Sequence, residues 1–443
     1  MRWGRLSTCF VIAAAAVYGK EGGSDDPLEI LRLARERVAA HITQNANYAC
    51  METVDRTYSR DKEPGSGGCG NSSKDADRTI FMRDRLHLDV AVSEGNEIFA
   101  WHGQNQFSSS LIGNVVKSGP ISSGNFIGFL HNVFLHPGVQ IEYTGSAEIK
   151  GVETYRFHYV VPLASSDYHV QARHGNPIVA FHGSFTVRAP DYELTSLRVI
   201  ADAIPSDSDI CSADTEVNYQ IVTISGKVSL IPSAFVLRLD QDSHIYTFSR
   251  SEYSGCREFR GESTLRFDTS TTSATAPAID PRIPERWLPA GLVMRVELKT
   301  PVSDKSSYTG DAVDGVLLDP IPVPGSGEKI PKGAILHGVI TELEFRYEPW
   351  KHYLVRIEFE RVTFGSNSLR LRAVPRSSKK SAQALWDVYG YPLPPYARAE
   401  YDAGIFAFAS SHFHVDPHFI AEWRTTERPS EMTEPRAPSA HPQ

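Results

Sequence analysis

One stretch, residues 77–101, constrains this chain more than any other. Within it Leu86, Leu88, Val90 and Val92 alternate with His87, Asp89 and Ala91, a period of two that gives a strand one apolar face and one mixed face. Gly95 and Asn96 supply the positive φ that a tight turn needs, and a second β-rich run, Ile98-Phe99-Ala100-Trp101, returns after them. The spacing predicts a long antiparallel hairpin.

The same signature recurs for about the next two hundred residues. Turns fall at Lys150-Gly151, 174–176, 189–191 and Ser225-Gly226, with strands expected at 154–161, 178–187, 193–201, 216–224 and 228–239. Residues 48–58, carrying Cys50, form the first strand. Two helices accompany these strands. Asp26-Pro27-Leu28-Glu29 combines a capping aspartate with proline at the first helical position, and Leu31, Ala34, Val38 and Ile42 follow at helical spacing. Phe126, Phe129, Leu130, Val133 and Phe134 make a second helical stripe, ended by Pro137-Gly138. About ten strands joined by short turns give a meander that curls strongly or closes. Two apolar helical stripes are best buried on its concave side.

The Ser/Thr/Pro/Ala run at 269–284 reads as a linker. It separates a first module (20–268) from a second (285–425), with a disordered tail expected at 426–443. In the second module Leu288-Pro289-Ala290-Gly291 and Ile330-Pro331-Lys332-Gly333 each lead into a strand, at 293–298 and 335–340. Further strands are expected at 353–364 and 369–374 and a last pair within 405–423, with loops at 300–310, 321–328 and 377–397. The fold class is mainly β with a few helices (α+β). A curved antiparallel half-barrel covered by helices precedes a small β-barrel or sandwich, for which a Greek-key-like order fits.

Composition bounds the compartment and the partners. The net charge is −8 without a long basic run, which argues against nucleic acid, since phosphate binding needs clustered Lys and Arg. Arg2 and Arg5, the small apolar run at 9–17 and Val17-Tyr18-Gly19 read as an export signal spanning 1–19. That run is too short to span a bilayer, and no other segment is long and apolar enough. Cys50, Cys69, Cys211 and Cys256 then remain, an even number in an exported chain, which implies two disulfides with three connectivities open. Cys50–Cys69, closing the Gly/Ser-rich loop 64–73, and Cys211–Cys256 are favoured. A zinc site lacks any Cys-x-x-Cys pair. The chain is therefore expected in the periplasm or outside the cell, in association with the outer membrane or free of it.

No catalytic constellation is found. There is no Gly-x-Ser-x-Gly elbow, no His-Glu-x-x-His, and no cysteine with a plausible histidine partner. Ser377 to Lys380 matches Ser-x-x-Lys only within a polar loop, where a buried catalytic lysine is not expected. His412, His414 and His418 are the weak metal candidates, lacking a carboxylate fixed by spacing; no metal and no cofactor is assigned. The stronger candidate is an apolar wall formed by Leu86, Leu88, Val90, Tyr155, Phe157, Tyr159, Phe181 and Phe185. In a half-closed barrel that wall holds an acyl chain or apolar peptide, or it is a filled core. Both readings are open.

An amphipathic helix, then Tyr48-Ala49-Cys50-Met51-Glu52-Thr53-Val54 and a covered meander, resembles over 26–268 the superfamily of outer-membrane lipoprotein-sorting carriers and their periplasmic sensor relatives. The chain is also similar to uncharacterised exported bacterial proteins that share segments like Ile121-Ser122-Ser123-Gly124-Asn125-Phe126 and the run from Cys256 to Thr264. The Leu-Pro-Ala-Gly entry and Gly310-Asp311-Ala312-Val313 resemble the C-terminal barrel of conjugation and type IV secretion pore proteins. Those relatives use a helical antenna that this sequence lacks, so pore formation is not carried over. The first resemblance implies a non-enzymatic envelope protein binding a lipid, lipoprotein or other apolar ligand. A scaffold or sensor with an envelope protein as partner is the alternative, and a hydrolase a distant third.

Overall fold

The computed structural model describes residues 26–43, 47–63, 69, 77–93, 95–104, 107, 111–172, 175–259, 286–324, 327–348, 350–376 and 404–427. The expected export signal, the linker at 269–284, the loop at 377–397 and the tail beyond Glu427 lie outside them.

The first helix, α1 (Pro27–Thr43), starts where its cap signals place it, with Asp26 Oδ1 accepting from the Leu28 N–H at 3.0 Å. Its buried stripe is Ile30, Ala34 and Val38, so Ile30 replaces Leu31 at the head of the expected row. Ten strands follow: β1 (Tyr48–Asp61), β2 (Arg78–Ser93), β3 (Asn96–Trp101), β4 (Gln140–Ile149), β5 (Val152–Val161), β6 (Ala180–Arg188), β7 (Glu193–Asp202), β8 (Ile210–Ile224), β9 (Lys227–Gln241) and β10 (Ile245–Glu258). All pair antiparallel, in the order β3-β2-β1-β10-β9-β8-β7-β6-β5-β4. The expected meander is present from β4 to β10. What the sequence does not announce is β10 folding back on β1, a pairing of strands some two hundred positions apart that runs from Tyr48↔Glu258 to Arg60↔Ile245.

The expected helix over 126–134 is shorter than its stripe suggests. One α-turn, Gly128–Leu130, passes into a π-turn, His131–Leu135. Phe126, Phe129, Leu130, Val133 and Phe134 are nonetheless all buried, in the same cluster as Ile30, Ala34 and Val38. A second one-turn helix, Ile112–Val115, was not foreseen.

The second module is a closed barrel of six antiparallel strands: β11 (Val293–Leu298), β12 (Ala312–Leu317), β13 (Ile335–Arg346), β14 (His352–Phe364), β15 (Asn367–Pro375) and β16 (Ile420–Thr425). Each pairs with the next, and β16 pairs back with β11. This is an up-and-down order in place of the Greek-key-like one. Trp423, Phe359, Leu336 and Val296 lie at its centre.

The two modules share a strand edge. One edge of β2 is taken by β1. The other is divided: Leu88 to Ser93 pair with β3, while Met82, Arg83 and Asp84 pair with Arg346, Phe345 and Glu344 of β13. Between these segments the His87 N–H donates to the Thr309 carbonyl at 2.8 Å and Thr309 N–H to the Arg85 carbonyl at 2.9 Å. The Tyr308 ring stacks on His87 at 3.6 Å, with the Arg85 guanidinium 3.8 Å from its centre.

The disulfides correct the expected connectivity. They join Cys50 to Cys256 and Cys69 to Cys211. Cys50 lies in β1 at the bulge between Ala49 and Met51, opposite Arg257 and Ser254 of β10, so the unforeseen β1–β10 pairing is what brings the partners together. The rings enclose 206 and 142 positions of sequence separation. In the chain-entropy model loops of that size lower the stability of the denatured state by about 5 kcal/mol each. Proteolysis without reductant should therefore release a Cys50–Cys256 peptide pair. The Cys50→Ser/Cys256→Ser double variant should melt well below the parent, and recovery of a Cys50–Cys69 pair would contradict the fold.

Candidate functional site

The eight wall residues come together as expected from their alternation. Leu86, Leu88, Val90, Tyr155, Phe157, Tyr159, Phe181 and Phe185 are each at most 3% exposed and belong to one cluster. They are covered from the concave side. Phe134 lies on Phe185 with ring centres 4.8 Å apart, Phe129 reaches Phe181 at 6.3 Å, and Phe157 stacks on Phe185 at 5.0 Å. In this conformation the interior is filled. A cleft opens at its rim, lined by His41, Ile42, Tyr48, Val92, Phe126, Ile127 and Leu130 together with the start of β9 (227–230); its free volume of ≈ 20 Å³ has room for about one water.

The cover is fastened by buried ionisable groups. Residues 116–127 form a strap that precedes the α-turn, and two inward-facing side chains of the sheet hold it. At one end the Arg56 guanidinium donates from Nη1 to the Ser118 carbonyl at 2.9 Å and the Pro120 carbonyl at 3.2 Å. Its Nε and Nη2 grip both oxygens of Asp84, at 2.8 and 2.5 Å. Gly119, at φ +74°, passes so close that a Cβ there would run into the Tyr58 hydroxyl and stand 2.9 Å from Arg56 Nη1. At the other end Glu97 of β3 accepts from the backbone N–H groups of Gly124 (2.8 Å), Phe126 (2.9 Å) and Ile127 (3.3 Å). The Tyr219 hydroxyl donates to the Asn125 carbonyl at 2.8 Å.

Under the strap the sheet carries a polar strip. The inward positions of β1 are Glu52, Val54, Arg56 and Tyr58; those of β10 opposite them are Tyr253, Ser251, Ser249 and Thr247. All are buried. Thr247 Oγ1, Ser249 Oγ and Glu52 Oε1 have no hydrogen-bond partner. Burial pushes the Glu52 carboxyl up to about 8, with the Ser251 and Tyr253 hydroxyls pulling the other way and the charge of Glu97 adding to the rise. Sequence reasoning passed over these residues. Alternation from Cys50 places Glu52 and Arg56 on the same face as Val54, so a charged pair on an inward face was the available signal.

At the module junction Glu344 of β13 stands opposite Asp84. Burial raises its carboxyl to about 7, assisted by the charge of Glu342 and opposed by Arg346. The three candidate histidines do not converge. His412 Nδ1 pairs with Asp304 at 2.8 Å, His414 Nε2 with Asp416 at 3.0 Å, and His418 with Glu297. Among the described residues no group of three His, Cys, Asp or Glu side chains is placed to hold a metal ion, and no helix is long and apolar enough to cross a membrane.

No family model and no curated protein matches the chain. Among solved structures it is similar to an outer membrane lipoprotein-sorting protein domain, described as putative, from Vibrio parahaemolyticus, at 11% identity and a TM-score of 0.28, covering 52% of this chain and 93% of that one. It is also similar to a DUF1329 family protein from Desulfovibrio piger ATCC 29098, at 9% identity and a TM-score of 0.26, covering 54% and 95%. The first is of the kind that the resemblance of 26–268 names; the fold itself rests on the strand pairing above. Nothing in the comparisons supports the likeness of the second module to secretion-pore barrels.

Burial also raises the carboxyls of Glu97 and Glu360, but Glu52 and Glu344 give a pH dependence of definite sign and range. Glu52 and Glu344 hold their protons more tightly in the folded protein than at the ordinary value of 4.5. Their contribution to stability is full below that value and is lost as pH climbs through about 7 for Glu344 and about 8 for Glu52. Parent protein should lose several degrees of melting temperature between about pH 5 and about pH 8.5 relative to Glu52→Gln and Glu344→Gln, which mimic the protonated forms. Parallel parent and variant curves would contradict the assignment.

Proposed function

We propose that this is a non-enzymatic binding protein of the bacterial cell envelope whose curved sheet takes up the apolar part of a lipid, lipoprotein or similar ligand when the strap and its helical turns lift. The observation that carries this reading is how the cover is held. Apolar side chains of the strap and turns fill an aromatic-lined sheet, yet the strap itself is fastened by Arg56 and Glu97, through hydrogen bonds to backbone. Such bonds are exchanged for bonds to water when the strap lifts, at a net cost of up to about 1.5–3 kcal/mol each, whereas the aromatic wall behind them needs an apolar occupant once uncovered. Two disulfides suit an oxidising compartment, and the export signal expected at 1–19 agrees with the periplasm.

The test is a titration of the full mature chain with N-phenyl-1-naphthylamine, a neutral probe that brightens in apolar surroundings, and mass spectrometry of organic extracts of native protein. Saturable brightening, faster in Glu97→Ala than in the parent, is expected, together with a co-purifying lipid. No brightening in either protein and no extracted lipid would remove the proposal.

A further inference from the structure

The geometry points to the polar strip of β1 and β10 as the subsite for an uncharged headgroup bearing hydroxyl or ester oxygens, so that the favoured ligand is a neutral amphiphile of the monoacylglycerol type. This rests on the amphiphile-binding reading above and adds which class of amphiphile is taken.

The strap lies directly over the strip. Its fastening at 118–120 is to Arg56, which faces Ser249 across the β1–β10 pair. Its next fixed point, Asn125, lies against Tyr253, which faces Glu52. Ser251 and Val54 sit between those two points on the sheet. Lifting the strap therefore uncovers the strip first, ahead of the aromatic wall.

Closed, the strip is left unsatisfied. Thr247 Oγ1, Ser249 Oγ and Glu52 Oε1 are buried without partners. Buried polar atoms of this kind are few in folded proteins; among the described residues Thr247 Oγ1, Ser249 Oγ, Ser251 Oγ and Glu52 Oε1 fall together on one patch of two neighbouring strands, while the others are scattered over both modules. Thr247 and Ser249 are two positions apart on one face, hence about 7 Å apart, a spacing that a glyceryl ester matches with its own oxygens. Apolar residues flank the patch on both sides. Leu239, Leu237 and Phe235 of β9 pair with Thr247, Ser249 and Ser251, and Leu86 of β2 pairs with Val54. A head on the strip leaves its chain on apolar wall.

Charge decides the class. Arg56 is the only buried Arg or Lys among the described residues, and its guanidinium is already engaged by Asp84, the Ser118 carbonyl and the Pro120 carbonyl. Lifting the strap frees only Nη1 of Arg56, whose charge stays neutralised by Asp84 through Nε and Nη2, so no unpaired cation is left on the strip for a carboxylate or phosphate head, and Glu52 repels one whenever it ionises. Covered by the strap or by a ligand, Glu52 is held mostly protonated at neutral pH by burial, so it offers little fixed negative charge to an ammonium head either.

The experiment displaces N-phenyl-1-naphthylamine from the full mature chain at pH 7 with monoolein or oleate, which share one acyl chain. Monoolein should displace at a concentration at least about tenfold lower than oleate. In the Thr247→Val/Ser249→Ala variant the two should come within about threefold, with the melting temperature of the ligand-free protein unchanged or higher. Equal or tighter binding of oleate by the parent overturns the proposal, as does a variant that keeps the parent's preference. A lower melting temperature in the variant also overturns it, because the hydroxyls would then be paired in the closed state. Displacement by neither lipid removes the amphiphile reading, and this proposal with it.

Discussion

The architecture depends on the hydrogen-bonding capacity of one strand. β2 has two edges, and both are used over its length: β1 along one, β3 and β13 sharing the other. A backbone ladder of this kind fixes register, because a slip by one residue would turn Leu86, Leu88 and Val90 out of the core and Asp84 out of reach of Arg56. The buried ion pair follows from that register. Taking Arg56 and Asp84 out of water costs several kcal/mol per ion, and the cost is met only because Asp84 holds both of its oxygens to the guanidinium while the strap supplies two carbonyls. The same contact that neutralises the pair positions the cover.

The interior is unusual in where its polarity falls. Most of the concave face is aromatic and aliphatic, yet β1 and β10 place hydroxyls, a carboxyl and a guanidinium on it. Each buried polar atom without a partner costs about 1–3 kcal/mol, so the closed arrangement carries a penalty that an apolar strip of the same shape would not. Replacing the strip by valine and leucine would give a more stable and more inert barrel. Its presence in a sheet whose other inward rows are mostly apolar sets this patch apart from the rest of the core.

What the sequence discloses follows the physics of local signals. The hairpin of β2 and β3, α1, and strands such as Val293–Leu298 appear where alternation, caps and turns place them, because each is encoded by neighbours in the chain. β10 is not encoded in that way. Its inward row is Thr247, Ser249, Ser251 and Tyr253, so the apolar alternation that marks a strand is largely missing, and its partner β1 is remote in sequence. Both errors in the disulfide assignment descend from that one pairing. The helical stripe from Phe126 to Phe134 reported burial correctly and length wrongly, since the π-turn keeps the same side chains inward with fewer regular turns. The site itself was half visible: the aromatic wall stands out as a pattern, whereas Glu97 and Arg56 matter through contacts with a distant loop.

The Cys50–Cys256 bond has a topological consequence. It ties the start of β1 to the end of β10, so that everything from the first strand to the last of the larger sheet lies on a single covalent loop, with Cys69–Cys211 as a chord across it. Helix α1 and the six-stranded barrel are appendages outside that loop. Undocking α1 from the concave face, or giving up the β2–β13 ladder and the Thr309 bonds to β2, would leave that loop closed. The molecule is thus a covalently closed ring with two elements attached to it by non-covalent contacts alone.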